Sequence, residues 1–562
     1  MEKQIQEKIN KWKNFNDLDV DLKDELNELT EEQLEDSFYK NLEFGTGGLR
    51  AKIGAGTNRL NIYTIRRITE GYAQYILENT NNASIVVAYD NRKNSYNFAL
   101  ETARIFSKYN IKTYIFETLR PTPELSFAVR ELNAFGGIVI TASHNPKEYN
   151  GYKIYDSNGC QVTLEMANAI IKKIDEITDE LSIEIANEDK FNEYTNFIGK
   201  NIDEKYYERV MEVAINKDIK KDLKIVFTPQ HGTSNIPVRT VLSKLGYNVI
   251  PVKEQLNPDP LFSNTKSPNP ENNEAFDLAI EYSKKFDADI AISTDPDCDR
   301  LGVVVKHNGE YILLTGNQTG AILLEYIITN LKNNNNLPNN SIIYNTIVTS
   351  DLGKDIAESY GVEVFSTLTG FKFIGEQIEL KKDKNFIFGY EESYGYLIKD
   401  FVRDKDAVQS TVIIAEVANY YKSKNMTLKD ALDNIYKEYG YYYDKLDSLT
   451  YEGAKGTKKI NNIMSFFRDN NIKLLSNSDI KIIEDYKTSI RFNNGKEEQL
   501  FLPKSNVLKY IFDDGSWLAL RPSGTEPKCK FYYCIKAPNE ELAKAKYNEI
   551  KNNLDKYINN ID

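Results

Sequence analysis

One succession of elements occurs three times in the middle of this chain: strand, helix, strand, helix, strand and then a polar loop. The third strands of the three copies are Ile138–Ile140, Ile290–Ile292 and Phe386–Phe388. Continuous apolar runs of this length between helical patterns are typical of buried strands in an α/β sheet. Three copies of one module predict three related domains whose loops face one cleft. The alternative is coincidence, because βαβ segments share such patterns generically.

The other strands of the copies complete the pattern. They are 85–88 and 111–116 in the first copy, 225–227 and 248–250 in the second, and 342–344 and 362–365 in the third. After about residue 430 the pattern changes to short strand-like runs that precede one long helix from Asn539. This change predicts a smaller α+β domain.

The length of 562 residues favours three or four domains over one hydrophobic core. We therefore expect an α/β fold class: three similar α/β domains with mixed sheets around a central cleft, plus a smaller α+β C-terminal domain. The expected boundaries are 1–210, 211–325, 326–435 and 436–562.

The composition excludes several classes of function. The formal net charge of −12 opposes binding to nucleic acid or to anionic membranes, and no apolar stretch could span a bilayer. Three histidines are too few for a His-rich zinc site. The four cysteines lack CxxC spacing and no signal peptide is evident, so we expect a cytoplasmic location. No pattern determines the oligomeric state.

A serine lies on a stiff loop directly after the last strand of the first copy. In the run Thr141-Ala-Ser-His-Asn-Pro146, the proline drives the preceding backbone out of helix. The end of a strand is where an α/β sheet usually carries its chemistry. Ser143 is therefore a candidate nucleophile or phosphoryl carrier, and the alternative is an ordinary turn serine that caps a helix.

Three aspartates alternate in the loop after the last strand of the second copy, Asp295-Pro-Asp-Cys-Asp-Arg300. Side chains at i, i+2 and i+4 of a turning segment can converge on one cation, and oxygen ligands at a phosphate site favour Mg²⁺. A calcium-binding EF-hand loop is excluded, because it needs Gly and Glu where Arg300 and Lys306 stand. The alternatives are an aspartyl nucleophile and a polar turn that opens a hairpin.

Two further loops carry polar groups suited to a sugar phosphate. The run Arg521-Pro-Ser-Gly-Thr525 combines a guanidinium, two hydroxyls and a glycine amide, which together suit phosphate binding. The alternative, a hairpin turn, does not account for Arg521. The loop Gly389–Gly395 offers Glu391, Glu392 and Ser393, which suit vicinal hydroxyls but are also common in solvated turns. Lys372 could add a cation near a phosphate.

These four loops, in this order along nearly the whole chain, resemble the α-D-phosphohexomutase superfamily, the phosphoglucomutases and phosphomannomutases. The matching motifs are TASHNP, DPDCDR, GYEES and RPSGTEP. The resemblance implies three similar α/β domains and a smaller fourth domain around a deep cleft. Cys298 stands where alanine or glycine is common in the family, and its small side chain should not disturb its neighbours.

The resemblance also implies roles for individual residues. Ser143 is the serine that is phosphorylated in the resting enzyme, and Lys153 is the general acid or base. The metal ligands are Asp295, Asp297 and Asp299, completed by phosphorylated Ser143. Arg300 is a basic catalytic position, and the substrate-binding positions are Arg50, His144, Lys372, Glu391, Ser393, Arg521, Ser523, Gly524 and Thr525.

The activity that the resemblance implies is a phosphosugar mutase with a phosphoserine enzyme and a sugar bisphosphate intermediate. Mg²⁺ is the expected cofactor, a sugar 1,6-bisphosphate the activator, and small sugar phosphates the binding partners. Glucose phosphate is the first choice of substrate, because the long versions of the first and third loops resemble the phosphoglucomutase branch. Mannose and pentose phosphates are alternatives. From other classes, the alternatives are a metal-dependent sugar phosphatase and a non-catalytic binding protein.

Overall fold

The computed structural model describes residues 3–45, 47–451, 453–469, 475–476, 478–523 and 528–561. The chain forms two compact units. The first unit comprises Met1–Gly316 and Phe371–Thr427, and the second comprises Asn317–Gly370 and Leu428–Asp562. Over the described ranges, no helix is long and apolar enough to cross a membrane.

Three helices precede the first sheet and pack together around a buried tryptophan. They are α1 (Lys3–Lys13), α2 (Val20–Glu28) and α3 (Glu31–Phe38). The Trp12 ring meets Phe38 and Tyr63 edge-on, with ring centroids 5.6 and 5.5 Å away. Its indole Nε1 donates a hydrogen bond to Glu180 at 2.7 Å, so the burial of this large side chain leaves no polar atom unsatisfied.

The first sheet has six strands in the order β1-β5-β4-β2-β3-β6. In chain order its elements are β1 (Leu49–Lys52), α4 (Ile62–Asn79), β2 (Ser84–Tyr89), α5 (Ser95–Lys108), β3 (Lys112–Phe116), α6 (Thr122–Glu131), β4 (Gly136–Ile140), β5 (Tyr149–Tyr155), α7 (Leu164–Glu176), α8 (Glu188–Tyr194), β6 (Thr195–Ile198) and α9 (Lys200–Met211). Strands β4, β2, β3 and β6 run parallel, whereas β5 is antiparallel to both of its neighbours. The sheet is therefore mixed, as predicted.

The second sheet repeats this arrangement with five strands, in the order β11-β10-β9-β7-β8. Its elements are β7 (Ile225–Thr228), α10 (Asn235–Lys244), β8 (Val249–Pro251), α11 (Asp277–Phe286), β9 (Ile290–Thr294), β10 (Leu301–His307) and β11 (Glu310–Leu313). Strand β7 is parallel to β8 and β9, and β10 is antiparallel to β9 and β11. In both sheets the third strand of the copy, β4 or β9, is thus followed along the chain by an antiparallel partner, β5 or β10.

The third copy is divided between the two units. Its first half consists of α12 (Gly316–Asn333), β12 (Ser341–Thr346), α13 (Leu352–Ser359) and β13 (Glu363–Thr367), and its second half of α14 (Phe371–Leu380), β14 (Asn385–Glu391), β15 (Gly395–Leu397) and α15 (Ala407–Ser423). Strands β12 and β13 pair in parallel, and β14 and β15 pair antiparallel. These are the pairings of β7 with β8 and of β9 with β10, which confirms the predicted α/β class for all three copies.

The C-terminal part of the second unit is α+β, as predicted. Its elements are α16 (Leu428–Tyr439), β16 (Tyr441–Thr450), α17 (Gly453–Asp469), β17 (Ile480–Asp485), β18 (Ile490–Asn493), β19 (Lys496–Gln499), β20 (Leu508–Phe512), β21 (Trp517–Pro522), β22 (Lys528–Ala537) and α18 (Glu540–Asn559). The seven strands form an antiparallel sheet in the order β16-β22-β21-β20-β17-β18-β19. The long helix α18 begins after Asn539, whose side chain caps it. The domain boundaries of the sequence analysis stay a prediction.

Replacing Asp406 with asparagine should stabilise the protein above about pH 6. Asp406 caps α15 from a buried position, and burial raises the pKa of its carboxyl from 3.8 to about 6. The protonated carboxyl contributes its full share of the free energy of unfolding at low pH, and this contribution is lost as the pH rises to about 6. The loss is at most about 3 kcal/mol. Asparagine caps equally well and does not ionise.

Urea unfolding at pH 4.5 and pH 8 would test this expectation. Asp406→Asn should exceed the wild type in stability at both pH values, and by a clearly larger margin at pH 8 than at pH 4.5. The control is Asp19→Asn, which makes the same substitution at the exposed N-cap of α2. A variant that is less stable than the wild type at pH 8 would contradict the prediction.

Candidate active site

Three loops of the first unit share one backbone feature. Each follows the third strand of a copy, and each holds a non-glycine residue in the left-handed conformation: Ser143 (φ 51°), Cys298 (φ 58°) and Tyr394 (φ 68°). L-residues with side chains rarely adopt such angles, which cost of order 1 kcal/mol and persist where the surroundings hold them. We refer to them as the serine loop (141–148), the metal loop (295–300) and the sugar loop (391–395).

The serine loop presents Ser143 in a buried position. Its Oγ donates to Asp295 Oδ2 at 2.7 Å and lies 3.1 Å from His144 Nδ1. The Ser143 amide donates to Thr141 Oγ1 at 2.8 Å, which turns the chain sharply after β4. The hydroxyl of Ser143 therefore faces the metal loop and does not cap a helix. This placement is compatible with a nucleophile or phosphoryl carrier, and that role of Ser143 stays a prediction.

The metal loop folds around the side chain of Asp295. Its Oδ1 accepts the backbone amides of Asp299 at 3.0 Å and Arg300 at 2.9 Å, which curls the loop so that all three aspartates point inward. Asp295, Asp297 and Asp299 are at most 1% exposed, and one oxygen from each lies within 4.8 Å of the others. The alternating pattern in the sequence thus becomes a cluster of three carboxylates.

This cluster fits a divalent cation. Asp297 Oδ1 and Asp299 Oδ1 are buried and have no hydrogen-bond partner among the described residues. Buried carboxylate oxygens are costly unless they are paired or coordinate a metal, and an all-oxygen donor set suits Mg²⁺. The residues that would hold the ion are the three aspartates, together with a phosphoryl group on Ser143.

Two lysines contact the cluster. Lys153, on β5, donates from Nζ to Asp297 Oδ2 at 2.9 Å and lies 3.6 Å from Asp299 Oδ2. Lys405 Nζ lies 2.9 Å from Asp299 Oδ2, and the carboxylates around Lys405 raise the pKa of its ammonium despite burial. Both cations offset part of the negative charge that the aspartates place in one buried volume.

The surroundings shift the pKa values of two of the aspartates in opposite directions. Burial and the adjacent carboxylates raise the pKa of Asp295 well above its ordinary value. The pKa of Asp297 is lowered although burial opposes this, because the Lys153 ammonium lies against it. Divergent pKa values within one small cluster are typical of functional sites.

His144 is held in its neutral form. Burial and the nearby guanidinium groups of Arg300 and Arg50 lower the pKa of the imidazole well below its ordinary value. Arg50 Nη1 donates to Asn145 Oδ1 at 2.9 Å, so it lies beside the serine loop. Arg300 forms an ion pair with Glu271. Arg50 and Arg300 thus place positive charge beside the serine loop of an acidic protein.

The sugar loop lies against the metal loop. Its Tyr394 carbonyl accepts the amide of Leu301 at 3.0 Å, directly after Arg300. Glu391 is the last residue of β14 and is 4% exposed, whereas Ser393 is half-buried. Glu391 is also close enough to raise the pKa of the Arg300 guanidinium together with Glu271 and the aspartates. The structure therefore brings Glu391 together with the serine and metal loops.

Lys372 lies at the start of α14 and is half-buried. Burial lowers the pKa of its ammonium. A Cβ built on Gly47 would lie 3.7 Å from Lys372 Nζ, which places this lysine beside the segment that leads into Arg50. Two of the basic positions predicted from the sequence, Arg50 and Lys372, thus lie in neighbouring segments of the first unit.

The predicted phosphate loop belongs to the second unit. Arg521 lies on β21 opposite Lys530 of β22, and the Ser523 amide donates to the Lys528 carbonyl at 2.7 Å. Gly524 and Thr525 lie outside the described residues. The described part lies between two antiparallel strands, as the sequence analysis expected, and phosphate binding by this loop stays a prediction.

Three contributors were missed by the sequence analysis: Lys405, Glu271 and Thr122. Thr122, at the start of α6, donates a hydrogen bond from its hydroxyl to Asp297 Oδ2 at 3.1 Å. No motif in the sequence around Thr122 indicates this role. Lys405 stands in the charged run 403–406, which follows β15 and could have drawn attention as polar residues at a strand's end. Glu271 lies in a long polar segment with no local signal.

Comparison with known proteins identifies relatives along most of the chain. Family models described as phosphoglucomutase/phosphomannomutase match residues 41–181, 204–309 and 315–439 with their alpha/beta/alpha domains I, II and III, and 471–548 with their C-terminal domain. A phosphoglucomutase of Staphylococcus aureus (strain bovine RF122 / ET3-1) is 43% identical over 518 residues, covering 91% of this chain and 93% of that protein. The phosphoglucomutase of strain MRSA252 is 42% identical over the same length and shares.

Solved structures share the fold. A phosphoglucomutase/phosphomannomutase family protein from Burkholderia thailandensis superimposes with a TM-score of 0.67 at 18% identity, covering 92% of this chain and 98% of that one. The phosphoglucomutase pp63/parafusin from Paramecium, in an open form, gives a TM-score of 0.66 at 18% identity, covering 92% and 95%.

Proposed function

The chain belongs to the phosphoglucomutase/phosphomannomutase family and is a phosphosugar mutase, and we propose that it interconverts glucose 1-phosphate and glucose 6-phosphate. The choice of glucose rests on the relatives named phosphoglucomutase, which match over most of both chains. The observation that carries the site assignment is the 2.7 Å hydrogen bond between Ser143 Oγ and Asp295, inside a cluster of three buried carboxylates.

The proposed cofactor is Mg²⁺, held by Asp295, Asp297 and Asp299 with the phosphoryl oxygen of phosphorylated Ser143. When bound there, the ion would neutralise charge on the transferring phosphoryl group. The chain adds positive charge of its own from Lys405, which lies 2.9 Å from Asp299 Oδ2.

In the proposed reaction, phospho-Ser143 donates its phosphoryl group to a free hydroxyl of the sugar monophosphate. The serine O–P bond breaks as the O–P bond to the sugar forms, which gives a sugar bisphosphate. The sugar hydroxyl loses one proton, and Ser143 Oγ gains one. We assign this proton transfer to Lys153. Its Nζ is 2.9 Å from Asp297 Oδ2, and it therefore contacts the cluster of three aspartates to which Ser143 is hydrogen-bonded.

The second half of the reaction reverses these steps with the other phosphate of the bisphosphate. The sugar must then be held in two orientations, and we propose that Glu391 and Ser393 contact its hydroxyls in both. Arg50, His144, Arg300 and Lys372 are proposed to contact the phosphate near Ser143. Arg521, Ser523, Gly524 and Thr525 are proposed to bind the phosphate that is not reacting. A sugar 1,6-bisphosphate would act as activator because it phosphorylates Ser143.

A substrate panel tests this proposal. With Mg²⁺ and the matching bisphosphate, kcat/KM for glucose 1-phosphate should exceed that for mannose 1-phosphate and ribose 1-phosphate at least about tenfold, because each hydroxyl whose orientation is wrong leaves a polar group unpaired. Free phosphate is measured in the same reactions. Phosphate release without glucose 6-phosphate would contradict the mutase and indicate a phosphatase. A preference for mannose or ribose would overturn the glucose assignment alone.

The location stays a proposal as well. All four cysteines are buried free thiols, which accords with a reducing compartment, and we propose the cytoplasm.

A further inference from the structure

One arginine outside the assigned site holds the serine loop by its backbone. Arg92 Nη2 donates to the carbonyls of Ser143 at 2.6 Å and Asn145 at 2.5 Å. Its Nη1 donates to the carbonyls of Pro146 at 2.8 Å and Tyr149 at 2.9 Å. A single planar guanidinium thus satisfies four carbonyl oxygens of the turn that carries the reacting serine.

Arg92 is itself fixed by a buried ion pair. Its Nε lies 3.3 Å from Asp90 Oδ2, and both side chains are 0% exposed. Asp90 Oδ1 in turn accepts the Arg92 amide at 2.9 Å and the Ser95 hydroxyl at 2.8 Å. The Phe262 ring covers the guanidinium, with its centroid 5.2 Å from Arg92 Cζ. The arginine therefore has little freedom to leave the carbonyls that it binds.

The position of the pair follows from the topology. Strands β2 and β4 are parallel neighbours, with Tyr89 opposite Ile140, so both chains emerge at the same edge of the sheet. Asp90 follows β2 and Ser143 follows β4. In the second copy, too, a residue after the first strand binds the backbone of the loop after the third strand. Thr233, after β7, donates from its amide at 2.8 Å and from its hydroxyl at 3.0 Å to the Pro296 carbonyl of the metal loop.

We propose that Arg92, oriented by Asp90, is a positioning residue that holds Ser143 in its left-handed conformation and aims Oγ for phosphoryl transfer. The φ of 51° at Ser143 is unfavourable for a serine, so the loop needs external contacts to keep it. The guanidinium supplies four such contacts to the loop backbone. In-line transfer is sensitive to misplacement of the reacting atom by about 1 Å. This inference rests on the proposed function, since it concerns the same serine.

The test compares Arg92→Met and Arg92→Lys with the matched control Arg67→Met. Arg67 is also a buried arginine of the first sheet's domain, and its Nε donates to the Ile177 carbonyl at 3.0 Å. For each protein, kcat and KM are measured with glucose 1-phosphate, Mg²⁺ and glucose 1,6-bisphosphate. The rate at which the bisphosphate phosphorylates Ser143 is followed by intact mass. Circular dichroism checks that each variant is folded.

We expect Arg92→Met to lower kcat and the phosphorylation rate about 100-fold, with KM within about threefold of the wild type. Arg92→Lys should recover part of the loss, because an ammonium can bind some of the four carbonyls. Arg67→Met should retain the wild-type kcat. If Arg92→Met does not fold, Arg92→Lys decides, and a kcat equal to that of the wild type overturns the proposal.

Two other results would also overturn it. One is an equal loss of kcat in Arg92→Met and Arg67→Met, which would mean that Arg92 has only a structural role. The other is a raised KM with unchanged kcat, which would place Arg92 in substrate binding. The wild-type protein is assayed first. If it shows no turnover, the proposed function has failed, and the proposal about Arg92 is a separate question.

Discussion

Ser143→Ala is expected to lower the rate of glucose 1-phosphate conversion by at least about 10⁴-fold, because the variant has no atom that can carry the phosphoryl group. The hydroxyl is buried and hydrogen-bonded to Asp295, inside the cluster of carboxylates. The measurement is a coupled assay of glucose 6-phosphate formation, with the bisphosphate and Mg²⁺ present.

The matched control is Ser157→Ala. Ser157 is exposed in the turn after β5, and its replacement should leave kcat unchanged. Intact mass after incubation with glucose 1,6-bisphosphate should show one added phosphoryl group in the wild type and the control, and none in Ser143→Ala. Turnover by Ser143→Ala at more than about one hundredth of the wild-type rate would disprove the assignment of this serine.

Asp295→Asn should produce the second large effect, a loss of activity combined with a gain of stability in metal-free protein. The removal of one carboxylate ligand and of the partner of Ser143 should cost about 3–4 kcal/mol of transition-state stabilisation, or about 10²–10³ in kcat/KM. The fold should survive, because an asparagine oxygen can still accept the two amides of the metal loop that Asp295 Oδ1 accepts.

The gain in stability follows from the direction of the pKa shift. Burial and the neighbouring carboxylates raise the pKa of Asp295, so the stability that its protonated form contributes is present at low pH and is lost as the pH rises through the folded-state pKa. Asparagine cannot ionise. In EDTA, the stability of Asp295→Asn relative to the wild type should therefore be greater at pH 8 than near pH 4.

Thermal unfolding in EDTA at the two pH values measures this difference, and Asp287→Asn is the control. Asp287 is an exposed aspartate of the same sheet's domain, with a side chain that is 70% exposed, and its replacement should leave the activity unchanged. Asp295→Asn with wild-type activity would remove Asp295 from the proposed metal site. A lower melting temperature at pH 8 would contradict the electrostatic account of the cluster.

The sequence alone was sufficient to predict the positions of the loops, because each loop has a recognisable pattern within a few residues. Ser143 precedes a proline-containing turn after an apolar strand, and the aspartates of the metal loop alternate within five residues. Signals of this kind depend on neighbours along the chain. The order of four such loops then identified the family, which the comparisons confirm over nearly the whole chain.

The contacts of Lys405, Glu271 and Arg92 could not be found in this way. Each acts on a loop that is distant in the sequence: Lys405 on Asp299, Glu271 on Arg300, and Arg92 on the backbone of the serine loop. A charged side chain in a polar segment looks the same whether it is solvated or bound to a partner. Only the three-dimensional contacts distinguish the two cases.

The sequence by itself determined that three α/β modules each end in a polar loop, and which residue types those loops carry. The tertiary structure alone decided that the loops meet and that an antiparallel strand follows each one. It also decided that Ser143, Cys298 and Tyr394 share a left-handed backbone. The physical reason is that strand and turn propensities act between near neighbours, whereas the direction of a side chain depends on packing and hydrogen bonds between distant segments.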